Sequence, residues 1–575
     1  MDKNFFIAII LMTIIILVYS SPFYQQRFGH ELPEKPAETT EAVPAAAEQQ
    51  TIPDAVESSA LSAADTEMTA NADTMTVQGV TQINPPAEPA IVSLANDDMR
   101  IDIDTRGGAI VQSVMLQFDG PTDDAKASLI REDANWADGF VQDGDIQIDF
   151  TDVIFTVGQQ SDSAVTLSAE FTGSRRIVRT YLLEDSGYMM NTDTAFEGPW
   201  DDPHLYLTWH GSLAETEKPS RKIRIFPFSL FMRDDQSQYQ KVVYLGQGER
   251  VINPERGKQK NERIYEKEGS QKVEIRKEYG TEDQFDGDLT WYAVRSKYFT
   301  SIVIPVEKNR WSAQSTATIR RGGKWFDFTI HKQKSSGDLS LQLYCGPISY
   351  SILKANDHEL TEIMELSWRI IRPLSIAFLW LIKKLYSIIP NWGLVLIFFS
   401  IIIKVVLYPL SKSSIESMRK MSQLQPQISE LREKYKNNPQ KQQSELMELY
   451  RREKINPMGG CLPLLLQMPV FFALYPVVGR AFELRQAMFI PYWIEDLSRP
   501  DPYFILPISM GLSMFFQQKA TIKDPSQKAM VYVMPVMMVV LFVNFSSGLV
   551  LYWFMFNILT LIQQKYHGKT PTTQS

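Results

Sequence analysis

The chain has 575 residues, 44% of them hydrophobic, and a formal net charge of −9. That length exceeds one compact domain, and the apolar residues are bunched in stretches, so at least two separately folded bodies are expected. Two cysteines, Cys345 and Cys461, exclude a disulfide framework, and no G-x-x-x-x-G-K-[ST] phosphate loop or H-E-x-x-H zinc motif occurs.

Asp2 and Lys3 precede a nearly unbroken apolar run from Phe5 to Tyr19, and the following SSPFYQQ has no small-residue cleavage pattern. This favours an uncleaved transmembrane anchor over 1–22; the alternative is a signal peptide removed from the mature protein. Glu31 to Ala90 holds eleven carboxylates, one Lys35 and no aromatic residue. Such a composition cannot bury enough apolar area to offset ordering entropy, which predicts a disordered tether over 23–90.

From Ile91 to about Ile352, runs such as RIDIDTRGGAIVQSVMLQF, RRIVRTYLL, HLYLTWHG, YFTSIVIPV, WFDFTIHK and LSLQLYCG alternate apolar and polar residues between Gly, Asp and Asn turns. Period two predicts an all-β sandwich or related large β fold over 91–352. His204 and His210 fall in one such run and read as core or surface residues rather than ligands. Over 366–389 the cations Arg369, Arg372, Lys383 and Lys384 leave only about ten uncharged positions between them, too few to cross a bilayer. At about 100° per residue they share one side of a helix opposite a Leu, Ile, Phe and Trp face, so an amphipathic interfacial helix is expected. A tilted span with snorkelling ends is the alternative.

Five apolar segments follow and predict transmembrane helices over 391–411, 461–478, 503–518, 529–545 and 548–564, six spans with the N-terminal anchor, before a short tail over 565–575. Lys412 to Asn456 carries ten Lys or Arg against six Glu, whereas Gly479 to Pro502 carries three Arg against four acids. The positive-inside rule therefore places 412–456 and both termini in the cytoplasm, with the β domain outside. Within 412–456, Ile415, Met418, Met421, Leu424, Ile428, Leu431 and Tyr435 recur at helical spacing until NNP, and a second helix from about Gln440 to Lys454 folds back. This hairpin is either a solvated pair or a docking arm for a ribosome or nascent chain. A basic surface alone implies no specific nucleic-acid sequence.

The stretch NPMGGCLPLLLQMPVFFALY, from Asn456 to Tyr475, passes from the basic hairpin into the membrane. Gly459 and Gly460 permit a sharp turn and mark a candidate hinge. Gln467, Pro463, Pro469 and Pro476 require neighbouring helices to satisfy the polar groups they free. Lys404 lies twelve positions from the outer end of its apolar segment and six from the inner. A cation at mid-membrane costs about 2.5 to 3.5 kcal/mol, so it is expected to face water, a partner or a cavity; snorkelling to the inner headgroups is the alternative. Ser400, Gln467, Ser509, Ser513, Tyr552, Trp553, Asn557 and Thr560 complete a candidate wet groove, although Ser and Thr in spans also bond their own backbone. The apolar cores Tyr503 to Phe516 and Gly548 to Ile562 give only about 21 and 22 Å of helix, short of a roughly 30 Å hydrocarbon core, so a thinned bilayer is expected.

That stretch, with FELRQAMF, DPYFILPISMG and SSGLVLYW, closely resembles the YidC membrane-protein insertase family, relatives of the mitochondrial Oxa-type insertases. The resemblance implies a bacterial inner-membrane location, a periplasmic domain of supersandwich type similar in fold to sugar mutarotases, and partnership with ribosomes, the signal-recognition pathway and the Sec translocon. It also implies a basic residue, usually Arg, at the position of Lys404 inside a hydrophilic groove. Lys keeps the charge and loses the planar fork. The expected function is insertion and chaperoning of nascent membrane proteins in the lipid bilayer, with no cofactor, metal or covalent chemistry. The rivals are a solute transporter or channel and a membrane-anchored carbohydrate-binding or carbohydrate-active protein.

Overall fold

The computed structural model describes residues 80–569 except 123, 133, 212, 218–240, 247–259, 269–270, 288, 308–310, 321–322, 333–338, 357, 369, 454–461 and 522–527. The expected anchor, most of the tether, the hinge pair Gly459 and Gly460, Cys461 and the end of the tail lie outside the described residues.

Alternating residues fold the first body into two antiparallel sheets. One has the spatial order Ile91–Ala95, Met99–Asp104, Ile110–Asp119, Asn135–Asp143, His204–His210, Gly323–Lys332, Trp311–Arg320, Gln271–Gly287 and Lys260–Glu268. Lys126–Ser128 and Ile146–Asp149 pair onto its third and fourth strands. The other runs Lys241–Gly246, Leu289–Arg295, Phe299–Pro305, Leu339–Pro347, Met189–Glu197, Arg175–Leu183, Ala164–Phe171 and Thr156–Gln160. In His204–His210 the residues Leu205, Leu207 and Trp209 point into the core and the four between them stay half-buried, as one pleated face against a core requires. Trp209 stacks on Phe328 at 5.0 Å, and Phe328 on Tyr292 of the opposite sheet at 4.4 Å, so the core sits between the sheets. Cys345 is buried in the second sheet, and burial pushes its thiol up to about 12, which leaves it inert.

Helices make up the rest. A short α1 (Tyr350–Ala355) and a 3-10 turn (Leu360–Ile363) lead into α2 (Arg372–Tyr386) and α3 (Trp392–Val406). Asn391 caps α3 by accepting from the Leu394 N–H at 3.0 Å. After α4 (Tyr408–Gln423) the chain bends at Leu424 into α5 (Gln425–Lys434), which carries Pro426 in its first turn. Asn438 caps α6 (Pro439–Arg452). Leu424, Ile428, Leu446, Leu449 and Tyr450 form the seam between α5 and α6, with Met421 and Leu431 at its edge. The bundle is completed by α7 (Leu462–Arg480), α8 (Ile505–Thr521), α9 (Lys528–Phe542) and α10 (Ser547–Lys569).

The expected six spans are not found as such: among the described residues no helix is long and apolar enough to cross a membrane. Two causes are visible. Both α3 and α9 have 15 residues, roughly 22 Å of helix, while the longer α10 carries Asn557, Thr560 and Gln563 among its apolar residues.

Candidate functional site

The polar residues of the bundle converge on α10, which packs against α3, α7 and α8. Each of four side chains along it bonds to a different helix. The Gln467 Nε2 of α7 donates to Tyr552 OH at 2.6 Å. The Asn557 Nδ2 donates to Ser513 Oγ of α8 at 3.2 Å. Lys404 Nζ of α3 donates to Thr560 Oγ1 at 2.8 Å, and Gln563 Nε2 to Ser411 Oγ of α4 at 3.1 Å. From Tyr552 to Gln563 this seam climbs roughly 17 Å of helix. Every one of the eight side chains is buried.

Lys404 is only 8% exposed, and its ammonium lies 4.5 Å from the centre of the Phe556 ring, an arrangement in which the ring face and one hydroxyl replace water around the charge. Not all the expected groove residues join it. Ser400 donates to its own helix at Leu396 O, 2.7 Å away. Ser513 and Thr560 do the same, to Met510 O and Phe556 O at 2.7 Å each, while also accepting across the seam. Trp553 packs in an aromatic cluster, 5.3 Å from Phe471 and 5.1 Å from Phe542. Ser509 is half-buried one turn before Ser513.

Ser411 and Gln563 were not among the expected residues, yet the spacing contains them. Ser411 lies two turns beyond Lys404 and Gln563 three residues beyond Thr560, so each extends the polar face of its chain partner. The carboxamide oxygens of Gln467 and Gln563 are buried with no hydrogen-bond partner among the described residues. A buried amide engaged at one end keeps a hydrogen-bonding edge in reserve, at a cost of about 1–3 kcal/mol.

The bundle is tied to the β domain at the end where α7 stops. The segment after α7 begins with a 3-10 turn at Phe482–Leu484. The Phe482 ring meets Phe118 edge-on at 4.9 Å and Phe299 at 5.5 Å. Arg485 donates to Glu217 Oε1 at 2.6 Å, to Asp119 O at 2.6 Å and to Thr216 O at 3.0 Å. Burial holds the Glu217 carboxyl above its ordinary value, with Arg485 pulling the other way. Tyr298 OH donates to Ser498 Oγ at 2.6 Å. The same loop caps α10, because Ser547 N–H donates to Arg499 O and Gly548 N–H to Leu497 O, at 2.6 and 2.9 Å.

Among the described residues no group of three or more His, Cys, Asp or Glu is arranged to hold a metal ion. His204 and His210 are half-buried on a sheet face, where His204 faces His331 at 3.2 Å and His210 pairs with Asp327 at 3.2 Å. Residues 91–377 match the family described as the YidC periplasmic domain, and residues 384–573 the family described as 60Kd inner membrane protein. The membrane protein insertase YidC of Prosthecochloris aestuarii is 30% identical over 100% of this chain and 96% of that one. That of Psychromonas ingrahamii is 33% identical over 89% and 88%. The match to the Geotalea daltonii insertase, 42% identical, spans 50% of this chain and 54% of its own length. A solved structure titled as an active YidC insertase with its first transmembrane domain resolved aligns over 86% of this chain and 96% of that one, at 18% identity and a TM-score of 0.36, too loose to carry an argument. With full-length relatives at this identity, and both halves of the chain matched in order, the chain belongs to the YidC family of membrane protein insertases.

Proposed function

We propose that this chain inserts nascent membrane proteins into the bacterial inner membrane by way of the seam around Lys404. The observation that carries this is the buried set of four polar pairs, each joining α10 to a different helix. In a bundle bathed in lipid such pairs satisfy one donor and one acceptor each, and leave the Gln467 and Gln563 carbonyl oxygens open to a client's donors. A client's polar flank entering from the cytoplasm exchanges its own donors and acceptors for these bonds. Its apolar segment then leaves sideways into hydrocarbon, driven by removal of apolar surface from water. No covalent step is needed.

The anchor together with α3, α7, α8, α9 and α10 forms the six spans, and α2 lies in the outer interface with Trp380 exposed on it. The short helices are accommodated by local thinning of the bilayer, which lowers the barrier to a translocated polar tail. The basic α4 to α6 region and both termini face the cytoplasm, where a ribosome or the signal-recognition pathway delivers clients, and the Sec translocon is a lateral partner. The test is photocrosslinking from positions 400, 404 and 552 to ribosome-stalled nascent membrane proteins. Positions 404 and 552 should crosslink the client strongly and 400 weakly, since Ser400 is turned to its own backbone. Crosslinks confined to lipid at all three would sink the proposal.

A further inference from the structure

Pro476 lies inside α7 and has no N–H, so the carbonyl of Phe472, four residues back, receives no helical bond from it. Another donor stands there. Ser367 Oγ, in the connector between the β domain and α2, donates to Phe472 O at 2.9 Å. The Ser375 Oγ of α2 is 2.8 Å from Ser367 Oγ. Because the single Ser367 proton goes to the carbonyl, its oxygen accepts from Ser375, whose side chain is fully buried. Trp368 packs against the same turn, 5.3 Å from the Phe472 ring. Two residues before Ser367, Glu365 pairs with Arg480 at the end of α7 at 2.6 Å. The connector therefore grips α7 on both sides of Pro476.

We propose that Ser367 is a positioning residue for insertion: it supplies the Phe472 carbonyl with the bond that Pro476 withholds and so holds the part of α7 around Pro476, the helix that carries Gln467, in register with α10. The proposal rests on the insertion reading given above, but its structural half is measurable without a client. A proline-bent helix in a dry environment is held by whatever satisfies its freed carbonyl. Here that is a side chain from outside the bundle, which links the exit of the β domain to the helix facing the seam.

The test is a cycle in the full chain, reconstituted in proteoliposomes, with Ser367→Ala, Ser367→Thr, Pro476→Ala and the Ser367→Ala/Pro476→Ala double variant. Two quantities are read: the melting temperature, and the initial rate of insertion of a short single-span client at a temperature where every variant is folded. Ser367→Ala should slow insertion about tenfold, the effect of withdrawing one hydrogen bond from a half-buried carbonyl, and lower the melting temperature, while Ser367→Thr keeps the hydroxyl and both values. In the Pro476→Ala background Ser367→Ala should cost clearly less in both, because the restored N–H serves Phe472 and only the Ser375 hydroxyl must turn to another acceptor, such as the carbonyl one turn back in its own helix. Equal losses in both backgrounds, or no loss in either, overturn the assignment. A lowered melting temperature with an unchanged insertion rate overturns the positioning role alone. Should no form of the chain insert the client while the melting-temperature cycle behaves as described, the insertion reading fails and the carbonyl bond stands. If Pro476→Ala does not assemble, hydrogen exchange over 470–480 decides: Ser367→Ala must speed it and Ser367→Thr must not.

Discussion

Arg485→Met keeps a long apolar side chain at the junction of β domain and bundle and removes the guanidinium that bridges Glu217, Thr216 O and Asp119 O. The ion-pair side chains are 6% and 5% exposed, so the small energies of surface pairs do not apply. Leaving Glu217 buried without its cation costs about 3–5 kcal/mol, roughly a hundredfold or more in the ratio of docked to undocked domain. The loss should depend on pH. Burial already raises the Glu217 carboxyl, and without Arg485 it rises further. A raised folded-state value means that docking is fully favoured below the unfolded value and is lost as pH rises through the folded one. The assay is a spin-label distance between Val157→Cys in the β domain and Met488→Cys in the loop, both exposed positions, with Cys461 replaced. The parent should give one narrow distance, and the variant a broad one at pH 8 that narrows at pH 5. A narrow distance in the variant at pH 8 would refute the reasoning.

Two further outcomes follow from packing and charge. A Cβ on Gly548 would lie 2.6 Å from Val478 Cγ1 and 2.9 Å from Leu396 Cδ1, so Gly548→Ala should cost about 1–3 kcal/mol, read as a lower melting temperature in detergent. The hydrogen bond to Asp327 holds His210 above its ordinary value against the opposing pull of burial, so its contribution is present below the unfolded value and lost as pH rises through the folded one. His210→Asn should therefore destabilise the β domain at pH 5.5 and not at pH 9, by under about 1 kcal/mol because the pair is partly exposed.

The β sandwich and the helical C-terminal region were legible because their signals are periodic. HLYLTWHG alternates along its whole length, and the strand it forms buries every second residue. The alternation expected of YFTSIVIPV does not describe its burial: Phe299–Pro305, like Leu289–Arg295, is buried at every position, with the polar Thr290, Arg295, Thr300 and Ser301 covered along with their apolar neighbours. The polar residues of the seam stood out for the opposite reason, as exceptions within apolar stretches. Their pairing did not, since Lys404 and Thr560 are 156 positions apart and nothing local relates them. Ser400 shares a helical face with Lys404, and the spacing does not tell that its hydroxyl donates to Leu396 O of its own helix. Arg485 stood inside the quoted FELRQAMF, but nothing local to it or to Ser367 named a partner: each sits outside the long helices, and tertiary contacts choose what it meets. Hydropathy follows composition and runs on to Leu410, whereas α3 ends at Val406 and α4 begins at Tyr408 with Pro409 in its first turn.

The central claim, that the Lys404 seam meets the client through a point charge, is tested most directly by the initial rate of insertion of a client with an acidic translocated tail, compared across Lys, Arg, Ala and Glu at position 404 in proteoliposomes. Arg preserves the charge and should insert near the parental rate; Ala leaves Thr560 and the Phe556 ring without their cation and should be slower; Glu repels the tail and should be slowest. A neutral-tailed client should show a flatter series. Parental insertion by the Ala variant, or a Glu variant that handles acidic and neutral tails alike, would contradict the account.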